Sequence, residues 1–487
     1  MTTTPTNTTP STGTTGITGT AGAVDTVDLD GVHLPGTVAY DQAVSPWNVA
    51  VPRRPLAVVV AQDADDVVRA VRWADQRGIR VAVQATGHGA HGTLDDVLLV
   101  NTAQLGELHV DPVTRVARIG AGVRWQQVLD AAAPHGLTGL AGSAPHVGVV
   151  GYTTGGGLGP LARTYGLASD RVVAFDVVTG DGELRRATAT HEPELFWGLR
   201  GGKGLLGIVT AIEVELVEAP DLYAGALYFD GADARAALHA WAQWCPTLPR
   251  EATTSVALLR LPPLPDVPPP LAGRLSVAVR FAWCGDAERG AAELAAMREV
   301  ATPLIDTVGP LPHAAIGAVH ADPVDPMPSA EKHCLLASLP TDAVDALLAL
   351  AGPDAESPQI AVEVRQLGGA VAAAADGSSA YDQRGAEFSL LAVGLGVPPV
   401  VDAVHEDGAR LLEAMSPWAA AGALPNFAPG SGPEWLERTY TRATVNRLAR
   451  VSRCYDPRST VLGAADLAAV PATGQTLRSR LGSLVGH

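Results

Sequence analysis

Two histidines stand three residues apart in the turn Gly87-His88-Gly89-Ala90-His91-Gly92, which follows the alternating run Val81 to Ala85. If the turn lies against a bound nucleotide, both imidazoles sit beside a reactive ring. The three glycines satisfy the dinucleotide fingerprint in which backbone approaches a pyrophosphate, but that motif requires a helix after the third glycine. Here Asp95-Asp96-Val97-Leu98-Leu99-Val100 follows, an acidic turn and a strand-length apolar run, so a nicotinamide-type unit is disfavoured. Plain turn chemistry remains open for the segment, since glycine reaches positive φ without steric cost.

A second constellation runs from Gly142 to Gly159, where seven glycines fall within eighteen residues. Their unobstructed amides are of the kind that forms an anion-binding nest. Val147, Val149 and Val150 between them point to a packed crossing rather than a flexible linker. A phosphate loop of the Walker type is excluded around Gly201-Gly202-Lys203, because Gly204 follows the lysine. In Glu363-Val364-Arg365 a strand would put the carboxylate and the guanidinium on one face. That carboxylate is a base if burial raises its pKa, and half of a structural ion pair otherwise. No metal site is expected: Cys245, Cys284, Cys334 and Cys454 lie far apart, which suggests buried reduced thiols.

The elements that must position these groups alternate between strand and helix. Leu56 to Val60 reads as a strand, Asp63 as an N-cap, and Val67, Val71 and Ala74 as the apolar face of a helix ended by Gly78. Strands are expected at Arg80 to Ala85, Val116 to Ile119, Val172 to Val178 and Ile208 to Val217, with a helix at Trp125 to Ala132. Beyond Pro220, two strand-and-helix units, Ala224 to Ala301 and Ser329 to Val397, are expected to form one antiparallel sheet backed by helices. After Pro433, the spacing of Trp435, Tyr440, Val445, Leu448 and Val451 predicts a single helix ending before Asp456-Pro457 and returning to the first domain. The fold class is therefore α+β with two domains. The boundaries are a disordered tail at 1–25, a first domain at 26–220, a second at 221–432, a return at 433–475 and a tail at 476–487.

The chain has 487 residues and a formal net charge of -17, which argues against nucleic acid and anionic membrane as partners and for a small molecule. No apolar run reaches the roughly 18–20 residues that span a bilayer. With no signal-like N-terminus either, a soluble, cytoplasmic protein is expected.

The order of motifs, the GH turn, RIGAGVRWQQV, AGSAPHVGVVGYTTGGGLG, YGLASDRVVAFDVVTGDGE, ELFWGLRGGKGLLGIVT and a late YDP, resembles the berberine-bridge-enzyme-like flavin oxidases of the vanillyl-alcohol-oxidase superfamily. Among them it is similar to bacterial enzymes of the 6-hydroxy-D-nicotine oxidase type. The resemblance spans about Pro35 to Leu462. It implies a PCMH-type FAD-binding domain with FAD bonded covalently to His88. Ala144 occupies the place of a cysteine that carries a second link in many relatives, so one link is implied. It also implies that Thr86, Gly87, Gly89, His91 and Gly92 build the flavin site beside His88. From the glycine-rich segment come Gly142, Ser143, Val147, Gly148, Gly151, Tyr152, Gly155, Gly156, Gly157 and Leu158, followed by Gly207, Ile208, Val209 and Asn426. His91 either lines the site or caps its own turn.

Val147 stands where the family places a small residue at the oxygen-access point, as in oxidases. Tyr152 replaces a histidine near the ribityl chain; it either steadies charge on reduced flavin or is a packed aromatic with a satisfied hydroxyl. The late Leu424-Pro425-Asn426-Phe427 departs from the carbohydrate oxidases, which disfavours a sugar. The implied activity takes hydride from a C–H next to an alcohol or amine to flavin, with dioxygen giving hydrogen peroxide, in a setting such as specialised bacterial metabolism. Glu363 and Tyr152 are the catalytic candidates. A dehydrogenase with another acceptor and a catalytically silent flavoprotein are the alternatives.

Overall fold

The computed structural model describes residues 29–219, 221–373 and 378–470; both expected tails lie wholly or mostly outside them. The first domain starts with a β-α-β unit whose strands Ala57–Val60 and Arg80–Gln84 both pair in parallel with Val97–Asn101. Its crossover helix, Ala64–Arg77, begins where the Asp63 side chain accepts from the Asp66 amide and ends at Gly78, φ +66°. Val67, Val71 and Ala74 are fully buried against the sheet. Each Val or Leu so buried contributes about 1.5–3 kcal/mol.

A five-stranded antiparallel sheet follows, in the order Leu108–Asp111, Val116–Gly120, Ile208–Glu215, Val172–Val178 and Leu184–Thr188. The strand expected to run to Val217 stops at Glu215, and Val217–Glu218 pairs separately with Leu137–Thr138.

The second domain is one antiparallel sheet whose long strands run Leu222–Asp230, Leu275–Cys284, Ala252–Arg260, Gln359–Gln366, Phe388–Leu395 and Ser329–Leu336. The two strand-and-helix units join where Ala252–Arg260 pairs with Gln359–Gln366. Alternation gives the sheet two unlike faces. Val362, Val364, Leu390 and Ala392 share a core with Trp241, Leu347, Leu411 and Met415 of the helices that cover one face. The residues between them, Ala361, Glu363, Arg365, Leu391 and Val393, face a cavity shared with the first domain.

The C-terminal segment is two helices, not the single one expected: Gly432–Thr439 and Arg442–Tyr455. Tyr440 is extended, its hydroxyl drawn 2.8 Å from the Gly201 carbonyl, and the Thr441 side chain caps the second helix. Helical spacing of apolar residues runs through this break, because both helices bury the same stripe. The second helix packs on the first domain, with Arg447 over the Trp197 ring at 3.8 Å and Leu448 in its core. All four thiols are free, but only Cys245 and Cys284 are buried; Cys454 is exposed, on the outer face of that helix. Among the described residues, no helix is long and apolar enough to cross a membrane.

Candidate functional site

A cavity of about 480 Å³ lies between the two domains, within the usual range for small-molecule sites. The His88 turn forms one end. Gly87 has φ +75°, and a Cβ there would lie 2.6 Å from Pro46, so only glycine fits. His88 is stacked on Trp47, centroids 4.5 Å apart at 15°, with His146 5.0 Å away on another side. Its Nδ1 is 2.8 Å from Thr86 Oγ1, while Nε2 is buried without a partner. Burial, with help from the nearby His146 and Arg124, pushes its pKa down to about 3, so the ring is neutral. His91 does both things open to it: Nδ1 meets the Gly89 carbonyl at 3.2 Å, and the ring lines the cavity.

The glycine-rich segment works differently from a nest. Gly142, Ser143, Val147, Gly148, Gly151, Tyr152 and Leu158 line the cavity, but Gly155, Gly156 and Gly157 do not. A Cβ on Gly157 would meet the Tyr152 ring at 2.7 Å, and one on Gly155 would meet Asn426 Oδ1 at 2.1 Å. These glycines make room for side chains rather than presenting amides to a ligand. Gly92 also turns away from the cavity, and Ile208 is buried in the core beneath the β-α-β unit. Gly207, Val209 and Asn426 do line it, as do Thr86, Gly87 and Gly89. The Tyr152 ring is packed, yet its hydroxyl is buried with no partner, which corrects the expectation of a satisfied one; burial raises its pKa.

On the sheet side, Glu363 is not poised as a base. Its Oε1 accepts from Arg280 at 2.6 Å and Ser255 at 2.7 Å, its Oε2 from Arg365 at 2.8 Å, and His320 Nε2 is 3.3 Å away. Burial alone would raise its pKa, but Arg365 and Arg280 outweigh burial and hold the carboxyl well below its ordinary range. The ion pair is its structural role.

Two charged groups escaped the sequence reading. Lys203 enters the cavity wall, donating to Gly151 O at 3.2 Å and to Asn426 Oδ1, and burial lowers its pKa to about 8. The signal was a lysine in a glycine run without acidic neighbours. Glu331, on the Ser329–Leu336 strand, lines the cavity, and its one hydrogen bond among the described residues is from Ser329 Oγ at 3.2 Å. Burial pushes its pKa up to about 7. Its signal was the polar alternation Ser329, Glu331, His333 in a strand expected to be half buried.

Residues 55–188 match the family described as FAD binding domain. The curated (R)-6-hydroxynicotine oxidase of Paenarthrobacter nicotinovorans is 34% identical over 188 residues, 38% of this chain and 41% of that protein. The matched stretches span about two-fifths of the curated relatives. Over 89% of this chain and 96% of that one, the fold is similar to that of 6-hydroxy-D-nicotine oxidase from Arthrobacter nicotinovorans, with TM-score 0.76 at 23% identity. Physcomitrella patens BBE-like 1 gives TM-score 0.78 at 18% identity, covering 91% and 97%.

The residues present fit FAD. Orphaned buried atoms at the cavity, His88 Nε2, His146 Nε2 and the Tyr152 hydroxyl, lack the partner a bound molecule supplies. Arg53 and Lys203 line the cavity with no carboxylate partner among the described residues, as suits a ligand that carries a diphosphate.

Proposed function

We propose that this chain is an FAD-dependent oxidase whose flavin is bonded covalently to His88 alone. The observation that carries this reading is the His88 ring itself: half-buried, stacked on Trp47, neutral at physiological pH and with a buried, unpartnered Nε2 at the cavity. When Nδ1–H donates to Thr86, Nε2 keeps a lone pair that faces the cavity and would be available to hold the flavin. Ala144, also on the cavity, offers only a methyl group and so no second link.

The residues that line the cavity would hold FAD, which would supply a hydride acceptor for the substrate and an electron donor for dioxygen, with hydrogen peroxide as the product. The chain's own residues do the rest. Sheet residues Ala361, Leu391 and Val393 exclude water from one side of the substrate, and Val147 on the opposite wall leaves room for dioxygen. Tyr152 would offer its unpartnered hydroxyl, and Lys203 a cation, to the bound ligand. Arg280, Arg365 and Glu363 fix the floor of the cavity as a paired cluster that keeps one net positive charge.

The test uses the purified protein. Denatured in acid and run on a gel, the wild type keeps yellow fluorescence in its band, and His88→Ala loses it. Flavin that washes off the wild type, or stays on His88→Ala, overturns the covalent reading. Flavin that is reduced anaerobically by a candidate amine or alcohol but reoxidises slowly in air makes the protein a dehydrogenase instead.

A further inference from the structure

Three carboxylates line the cavity, Asp322, Glu331 and Glu363, and they differ in what balances their charge. Glu363 is spoken for by two arginines. Asp322 sits at the cavity edge on a largely exposed loop. Glu331 alone is half-buried in the wall with no basic side chain in ion-pair range among the described residues, and only the Ser329 hydroxyl bonds to its carboxylate. Its neighbour Lys332 is on the other face of the strand, packed against Gly408 of the covering helices.

Around Glu331 the surface is apolar. Val393 is its partner across the strand pair and lines the cavity with Leu391, Ala361, Met327 and Phe427. A carboxylate in an apolar wall, open to a cavity and lacking a protein cation, is costly when ionised unless a ligand supplies the positive charge.

We propose that Glu331 is the anchor for the nitrogen of a protonated amine substrate, so that the cavity takes amines with an apolar body in preference to the corresponding alcohols. This rests on the oxidase reading for its use of the word substrate, but the binding preference stands or falls separately. The ammonium group donates to Glu331, and the apolar remainder lies along Val393, Leu391 and Phe427.

The groups that surround Glu331 leave its charge to set the pH dependence. On its own strand, His333 is pushed by burial to about 3, stays neutral and meets Ser389 Oγ at 3.1 Å. The adjacent Phe388–Leu395 strand presents Leu391 and Val393, and the next presents Glu363 with Arg365 already paired. Asp322 and Asp325 precede it in the loop, and Arg53, His88, His146 and Lys203 line the far side.

The experiment titrates the flavin-loaded protein with benzylamine and with benzyl alcohol, following the flavin difference spectrum without turnover, at pH 6 and pH 8.5. Benzylamine is expected to bind about tenfold more tightly at pH 8.5, the change in ionised fraction of a carboxyl titrating near 7. Benzyl alcohol should show no such change. Glu331→Gln should remove the pH dependence and the preference for the amine, whereas Glu331→Asp keeps both in weakened form. Equal, pH-independent binding of the two probes to the wild type overturns the proposal, whatever the variants do. So does a benzylamine preference that survives in Glu331→Gln. If the amine preference holds but no amine ever reduces the flavin, the oxidase reading fails and the cation site remains.

Discussion

The two walls of the cavity are built on opposite plans. The wall from the first domain is shaped by absent side chains: Gly87 and Gly142 in the wall, and Gly159 behind it, leave gaps that Pro46, the Tyr152 ring and the Ala141 carbonyl fill. The wall from the sheet is shaped by charged side chains on an uncovered face, where Glu363 is neutralised by arginines and Glu331 is left with a hydroxyl. A steric wall holds one ligand of fixed shape; a charged wall sorts ligands by their own charge. On the proposed function, the fixed wall would take the cofactor and the sorting wall the substrate.

This contrast breaks most severely at Glu363. Glu363→Gln leaves Arg280 and Arg365 buried without their counter-charge, a loss of about 3–5 kcal/mol for removing one partner of a buried cluster. The sign follows from its lowered pKa: the wild-type cluster contributes stability above the ordinary glutamate range and loses it as pH falls through the depressed folded value. Denaturant unfolding should therefore separate variant and wild type most at neutral pH and least in strong acid. A variant as stable as wild type at pH 7 means that the arginines do not need the carboxylate.

On the steric wall a single methyl group should be enough. Gly159→Ala would place a Cβ 2.0 Å from the Ala141 carbonyl oxygen behind the wall and 3.0 Å from the Tyr152 hydroxyl within it. Overpacking of this kind costs about 1–3 kcal/mol. The expected result is a lower unfolding midpoint together with reduced flavin content, while probe binding to Glu331 in the molecules that retain flavin is unchanged. Equal loss at both walls would show that they are not independent.

The same division decides what could be read from the sequence. Backbone requirements are local, so the strand and helix of the β-α-β unit, its Asp63 cap and the Gly78 stop were legible within a dozen residues of themselves. Charge balance is not local. Arg365 could be paired with Glu363 by strand alternation, but Arg280 reaches it from a strand more than eighty residues earlier. Glu331 lies on the cavity face only because its strand pairs with Phe388–Leu395, and nothing near it in the chain reports that no cation will follow. Gly155 to Gly157 misled for the converse reason. Their glycines were legible, but the side chains they accommodate, Asn426 and Leu167 among them, come from elsewhere. Tyr440 broke a helix because of a distant carbonyl, Gly201.

The mildest test asks whether Glu331 is strained even with the cavity free of substrate. Its folded pKa of about 7 is raised above the ordinary 4.5, so the folded state holds the proton more tightly than the unfolded chain does. The stability it contributes is therefore complete below about 4.5 and is lost as pH rises through 7, by at most about 1.4 kcal/mol per pH unit. Glutamine cannot ionise, so Glu331→Gln should match the wild type near pH 5 and exceed it in unfolding midpoint near pH 8. Adding benzylamine at pH 8 should narrow that gap, because a bound ammonium stabilises the wild-type carboxylate and has nothing to balance in the variant. A gap that is absent at pH 8, or that benzylamine leaves unchanged, would mean that the sheet wall already contains the charge Glu331 needs, and the two walls would then differ in shape alone.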